Sequence, residues 1–140
     1  MAVESLSPGR DQTKTIQALA EFKKVVTNFP ISEQVADSRE QIKECEERLA
    51  AHNLTIAIHY YKVLAFKAST IRLTEILTEY PYFSKMDKVY YYLGDSYLKW
   101  NKFEEGAPFL RKLLSDFPES KYIKKATKRL KEMEKEQEVK

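Results

Sequence analysis

The chain has 140 residues, and its 24 lysine and arginine residues nearly balance 21 aspartate and glutamate residues, for a net charge of +3. Hydrophobic residues make up 43% and charged residues 32%, a balance typical of one folded domain with a charged surface and not of a disordered chain. Three glycines and five prolines are too few for a sandwich or barrel of short strands, and a single cysteine excludes an internal disulfide framework, so we expect an all-α fold.

The N-terminal stretch, residues 1–12, is predicted to be an irregular linker because Pro8-Gly9 favours a turn. From residue 13 onward apolar side chains recur at steps of three and four, which predicts an amphipathic helix. Phe29-Pro30 ends this helix, since the residue before a proline is disfavoured in the helical conformation.

A long helix follows this stop. Neither glycine nor proline occurs between Ser32 and Tyr80, and apolar positions continue at helical spacing. They predict one extended helix over about 33–65, roughly 48 Å in length. Further helices are predicted at 68–79, 85–100, 103–116 and 120–136, followed by a charged tail at 137–140.

An internal repeat organises these helices. An apolar stretch leads to an aromatic residue and a proline three times, and a small residue lies twelve positions before each of these prolines. The last copy also has a Leu-Gly pair between two tyrosines. This pattern is typical of tetratricopeptide repeats. Small residues let paired helices approach closely, while aromatic rings fill the space between hairpins. We therefore predict a tetratricopeptide-type right-handed stack of helical hairpins over residues 13–136, whose incomplete first repeat suggests the inside of a larger array. The positions are Ala18 and Pro30, Ser69 and Pro81, and Gly94, Gly106 and Pro118.

Several segments resemble the BamD (YfiO) family, the tetratricopeptide lipoproteins of the outer-membrane β-barrel assembly machine. They are Arg10-Asp11-Gln12-Thr13, the run from Glu47 to Lys62, and Ala68, Arg72 and Tyr80-Pro81 after it. The resemblance covers about 10–130 and only the C-terminal part of a full family member. It implies a non-catalytic scaffold at the periplasmic face of the outer membrane that binds the periplasmic domains of BamA, the barrel-forming subunit, and in some bacteria further lipoproteins. The start of this sequence has neither a signal peptide pattern nor a lipid-attachment cysteine.

Arg72 is the first candidate for partner binding, because the resemblance places an arginine of the family's partner contact at this position. A guanidinium can bind a carboxylate through two parallel hydrogen bonds, so the role is chemically reasonable. The alternative is a solvated ion pair with Glu75 or Glu79 on the same helix.

A second group of candidates lies on the helix predicted at 85–100. Tyr91, with Lys88, Asp95 and Lys99, would face the groove between hairpins, where repeat proteins bind peptides or partner helices. Ordinary packing or plain surface exposure is the alternative for these side chains.

Other chemistry is not indicated. Cys45, His52 and His59 are seven residues apart from one to the next. On one helix that spacing separates successive residues by roughly 10.5 Å, which is too far for two of them to bind the same zinc ion. The sequence has no phosphate loop, nucleophile elbow or dinucleotide fingerprint, so we expect no enzyme, cofactor or small-molecule substrate. The basic run Lys121–Lys131 precedes a run of glutamates, which predicts a solvated helix face and not a surface that binds nucleic acid or anionic lipid. No apolar run is long enough to cross a membrane. The resemblance to the family implies that attachment is through a lipid anchor.

Two other functions stay open at this point. A generic tetratricopeptide adaptor or co-chaperone would clamp a peptide carboxylate with lysine and asparagine, whereas the matching positions hold Leu54, Ile58, Tyr91 and Asp95. A different periplasmic repeat protein, such as a cell-division coordinator linked to the Tol-Pal system, would lack the long-helix signature.

Overall fold

A computed structural model describes residues 8–28 and 34–139 and places them in α-helices joined by short turns. No strand occurs in these two ranges, so the all-α prediction is confirmed. None of the described helices is both long enough and apolar enough to cross a membrane. The helices are α1 (Pro8–Asn28), α2 (Gln34–Lys62), α3 (Phe66–Glu79), α4 (Met86–Lys99), α5 (Phe103–Asp116) and α6 (Ile123–Val139).

The predicted long helix is present as α2 without a break, but it ends at Lys62 and not near residue 65. Leu64 adopts a left-handed backbone conformation, with φ of 66°. The amide of Leu64 donates to the carbonyl of Tyr61 (3.1 Å) and the amide of Ala65 donates to that of Tyr60 (2.8 Å). These two bonds form a Schellman motif, which satisfies the last carbonyls of a helix and reverses the chain.

The chain ends differ from their predicted bounds. α1 begins at Pro8, so residues 8–12 are helical where a linker was predicted; proline is well suited to a first helical position because its φ is already helical. α6 begins at Ile123, after a turn in which the amide of Ser120 donates to the carbonyl of Phe117 (3.0 Å). It continues to Val139 through most of the predicted charged tail, since neither glycine nor proline interrupts it. The predicted stop at Phe29-Pro30 lies outside the described residues.

The chain divides into two compact units, residues 1–52 and 53–140, and α2 runs through both. In the first unit Thr15 of α1 and Leu49 and Ala50 of α2 are buried. An exposed ion pair joins Lys23 and Glu46 at 3.9 Å, a contact of the kind that adds little stability.

The second unit contains stacked helical hairpins, as the repeat predicted. α4 packs against α3, α5 and α6, and α5 also packs against α6. The core between α4, α5 and α6 is built from buried apolar side chains at helical spacing. They are Tyr91, Leu98, Ala107, Leu110, Leu113, Tyr122, Ala126, Leu130 and Met133.

Small residues hold the hairpins together where the repeat placed them. Gly94 and Gly106 meet so closely that a β-carbon on Gly106 would lie 2.6 Å from the Gly94 carbonyl oxygen. At the equivalent place between α2 and α3, the Ser69 hydroxyl donates to the carbonyl of Ala57 (2.9 Å), and both residues are fully buried. A hydrogen bond therefore joins the two helices at the position where two glycines meet in the next hairpin.

Candidate partner-binding site

Arg72 lies on α3, half-buried against α2. Its Nη1 donates to Oδ1 of Asn53 across 3.1 Å, and Asn53 is itself buried. Among the described residues no ion pair joins Arg72 to Glu75 or Glu79. The guanidinium is therefore oriented by a neighbouring helix, and its role toward a partner stays a prediction.

Asp95 lies inside the second unit and not on an open groove. Only 1% of its surface is exposed. Its Oδ1 accepts a hydrogen bond from Nε of Arg129 (2.6 Å), and its Oδ2 accepts one from the hydroxyl of Tyr61 (2.5 Å). Lys99 lies 3.6 Å away on the same helix. This carboxylate therefore joins α2, α4 and α6 at one point, and a buried carboxylate needs such partners.

Tyr91 is covered in the same way, with 8% of its surface exposed. Its ring stacks on Tyr122 at a centroid distance of 5.0 Å and meets Tyr92 edge-on at 5.3 Å. Burial, followed by the negative charge of Asp95, raises the pKa of Tyr91 to about 12. The ring contributes to packing between α4 and the chain segment that leads into α6.

The two lysines of the predicted group lie in different surroundings. Nζ of Lys99 donates to the hydroxyl of Tyr61 (2.8 Å) and lies 4.7 Å from the centre of that ring, yet the side chain stays exposed. Lys88 lies near the start of α4, where burial, and then the charges of Lys85 and Lys121, lower its pKa. The structure thus brings Tyr91, Asp95 and Lys99 together and places Lys88 in a separate basic group.

Three residues of these contacts were not identified from the sequence. Asn53 and Tyr61 lie in the long-helix segment, and Arg129 was assigned to a solvated basic run. The signal available for Arg129 was the spacing of apolar residues on its helix. It lies three residues after Ala126 and one before Leu130, and both of these residues are buried. Its inward position also removes one positive charge from the surface of α6.

Metal and thiol chemistry gain no support from this geometry. In the described part of the chain, no group of three histidine, cysteine, aspartate or glutamate side chains could hold a metal ion. Burial is the main cause of a raised pKa at the Cys45 thiol, which lowers its thiolate fraction and hence its reactivity.

Comparison with known proteins gives the site a family context. Residues 2–102 match the family described as "YfiO: Outer membrane lipoprotein", a range that includes Arg72, Asp95 and Lys99. The chain is also similar to a protein of Xylella fastidiosa (strain 9a5c) named "Outer membrane protein assembly factor BamD", with 27% identity over 88 residues. The aligned part is 63% of this chain and 30% of that relative, so the chain spans about a third of the relative's length.

Proposed function

Because the chain belongs to the YfiO family of outer membrane lipoproteins, we propose that it is a non-catalytic scaffold in the assembly of outer-membrane β-barrel proteins. Its place would be the periplasmic face of that membrane. The relative in Xylella fastidiosa is named as an assembly factor, which supports this class of role. A stack of hairpins held by close helix contacts suits positioning of a partner, since it keeps its surface side chains in fixed relative places.

The partner in this proposal is the periplasmic part of BamA. The observation that carries it is the hydrogen bond from Arg72 to Asn53, inside the matched range. An arginine already oriented by a buried asparagine loses less side-chain freedom when it binds a carboxylate. Its planar group also offers several donors for a bidentate pair, which a lysine would not.

The remaining predicted residues divide into two roles in this proposal. Tyr91 and Asp95 support the surface from inside, because they fasten α4 to α6. Lys88 and Lys99 would supply positive charge toward acidic groups of the partner, since a lysine head stays in solvent while its stem packs against the protein.

A peptide-clamping adaptor is less well supported. Such a clamp needs basic and amide side chains open to solvent in the groove, whereas Leu54, Tyr91 and Asp95 are buried at the corresponding positions. A Tol-Pal-linked coordinator is likewise disfavoured by the match of residues 2–102 to the YfiO family.

Site-specific photocrosslinking tests the proposed interface. A photoreactive amino acid at exposed Glu75, close to Arg72 on α3, should crosslink to the periplasmic domains of BamA. The same group at exposed Lys112 on α5 serves as the matched control and should give little product. Equal crosslinking at both positions, or none at Glu75, would refute contact through the α3 surface.

A further inference from the structure

The turn between α2 and α3 presents two adjacent aliphatic side chains to solvent. Val63 is 57% exposed and Leu64 is 72% exposed, and we call this pair the aliphatic tip. Single exposed apolar residues are ordinary on a protein surface. Here, however, two exposed aliphatic side chains are adjacent in the turn at the end of a helical hairpin, and exposed Lys62 and Lys67 flank them.

The backbone at this tip favours a different residue. Leu64 has φ of 66° at the left-handed position of the Schellman motif, which glycine adopts without steric cost. The next tight turn of the stack has an asparagine there, Asn101 with φ of 61°, and asparagine tolerates this region better. Leucine therefore strains the backbone and gains little packing within the chain. Strain at an exposed apolar residue points to contact with something outside the chain.

The charges around the tip favour an anionic surface. Lys62 and Lys67 flank it, and Lys102 lies at the corresponding turn of the next hairpin, where its Nζ is 4.4 Å from the ring centre of Trp100. Two exposed carboxylates, Glu104 and Glu105, lie at the start of α5, and Lys102 pairs with Glu105 at 3.8 Å. Positive charge thus prevails at the tip itself. Aliphatic side chains with flanking lysines and a nearby tryptophan are the composition that binds at a membrane interface.

We propose that the aliphatic tip inserts into the surface of a bilayer containing anionic phospholipid, with Lys62 and Lys67 against the headgroups. Two exposed side chains in a turn can enter a fluid bilayer surface without a preformed pocket to receive them. This contact would add to attachment through a lipid anchor, since burial of two side chains gives only weak, reversible binding. It goes beyond the proposed scaffold role and rests on it only for placing the chain beside a membrane.

Vesicle binding of the full chain tests this contact. The probes are vesicles of phosphatidylglycerol with phosphatidylethanolamine and, for comparison, vesicles of neutral phosphatidylcholine. Trp100 is the single tryptophan and lies at the neighbouring turn, so its emission reports on this part of the surface. We expect cosedimentation and a blue shift with the anionic vesicles, and weaker binding at high salt.

Two variants and a control separate the tip from general effects. The double variant Val63→Asp/Leu64→Asp should lower partition about tenfold or more, since it removes both apolar side chains and adds negative charge. Leu64→Gly should also lower partition while it relaxes the backbone, so reduced binding cannot be attributed to unfolding. Tyr82→Asp is the control, because Tyr82 is 93% exposed in the turn between α3 and α4, at the other end of the hairpin.

Two results would overturn the proposal. The first is no partition of the wild-type chain into anionic vesicles. The second is equal partition of wild type and both tip variants; if those variants also lose BamA binding, the tip is assigned to a protein partner. If BamA binding fails for the wild type while vesicle binding depends on the tip, the scaffold role fails and the lipid contact stands.

Discussion

Arg129 on α6 donates its Nε–H to Asp95 on α4 across 2.6 Å, and this bond joins two helices through residues 34 positions apart. Tyr61 on α2 donates to the other oxygen of the same carboxylate. Removal of one partner from such a group leaves the other charge without compensation in a poorly solvated place. The attachment of α6 should therefore depend on the charge of Asp95.

Asp95→Asn tests this dependence. The substitution keeps the size of the side chain and removes its charge. We expect the free energy of unfolding to fall by about 2–4 kcal/mol. This is somewhat less than the loss expected for a fully buried ion pair, because Arg129 is partly exposed. Urea denaturation measures the change. Asp116→Asn is the control, since Asp116 pairs with Lys112 on an exposed helix face, and little or no loss of stability is expected there. Equal losses in the two variants would contradict the role of Asp95.

Gly106→Ala tests the close approach of α4 and α5. Alanine is the better helix former by about 1 kcal/mol, but its β-carbon would lie 2.6 Å from the Gly94 oxygen and 2.8 Å from the β-carbon of Tyr97. We expect a net destabilisation of about 1–3 kcal/mol by thermal or urea denaturation. Gly94→Ala should cost less, because its closest clash is with the rotatable side chain of Leu110. A Gly106→Ala variant as stable as wild type would show that the helices can move apart freely.

The buried tyrosines predict a loss of stability at alkaline pH. Burial, then the hydrogen bond to Asp95, raises the pKa of Tyr61 above its ordinary value of 10.0, and burial raises that of Tyr91 to about 12. Below pH 10 these groups are protonated in both states and the stabilisation is complete. Above pH 10 the unfolded chain releases its protons first, so the free energy of unfolding falls as pH rises.

Tyr61→Phe provides the matching measurement. The variant should lose about 1 kcal/mol at neutral pH with its hydrogen bond, and its stability should fall less steeply between pH 10 and pH 12 than that of wild type. Tyr82→Phe changes an exposed ring and should leave the slope as it is. An identical slope for Tyr61→Phe and wild type would contradict this explanation.

Leu64→Gly should stabilise the chain. The left-handed conformation costs a residue with a β-carbon about 1–2 kcal/mol, and glycine avoids that cost. Part of the gain is offset by the greater freedom of glycine in the unfolded chain, so we expect about 0.5–1 kcal/mol in thermal denaturation. Leu64→Ala removes the same apolar side chain and keeps the β-carbon, and it should give little gain. Equal stabilisation by alanine and glycine would show that side-chain exposure, and not the backbone, is responsible.

Local signals in the sequence predicted much of the second unit. The ends of α3 and α5, just before Pro81 and Pro118, were predictable because a proline disfavours the helical conformation of the residue before it without any distant contact. The small residues Ser69 and Gly106 are buried as predicted, since the repeat spacing alone places them between paired helices. The bounds of α5 were predicted without error.

Features that depend on distant contacts were beyond a single sequence. Asp95 is buried, and its hydrogen-bond partner Arg129 lies 34 residues further along the chain, so no local pattern indicates the contact. The end of α2 carries no glycine or asparagine at its left-handed residue, so Leu64 gave no sign of a turn and the helix was predicted three residues too long. The hydrogen bond from Arg72 to Asn53 likewise joins side chains on two helices.

The affinity of the chain for the periplasmic domains of BamA, measured by titration calorimetry, tests the proposed scaffold role most directly. We expect binding by wild type, a decrease of about tenfold or more for Arg72→Glu, and a smaller decrease for Arg72→Lys, which keeps the charge and loses the planar fork. Arg111→Glu reverses a charge on an exposed face of α5 and should bind like wild type. Absence of binding by wild type, or equal affinities for Arg72→Glu and Arg111→Glu, would contradict a BamA contact through Arg72.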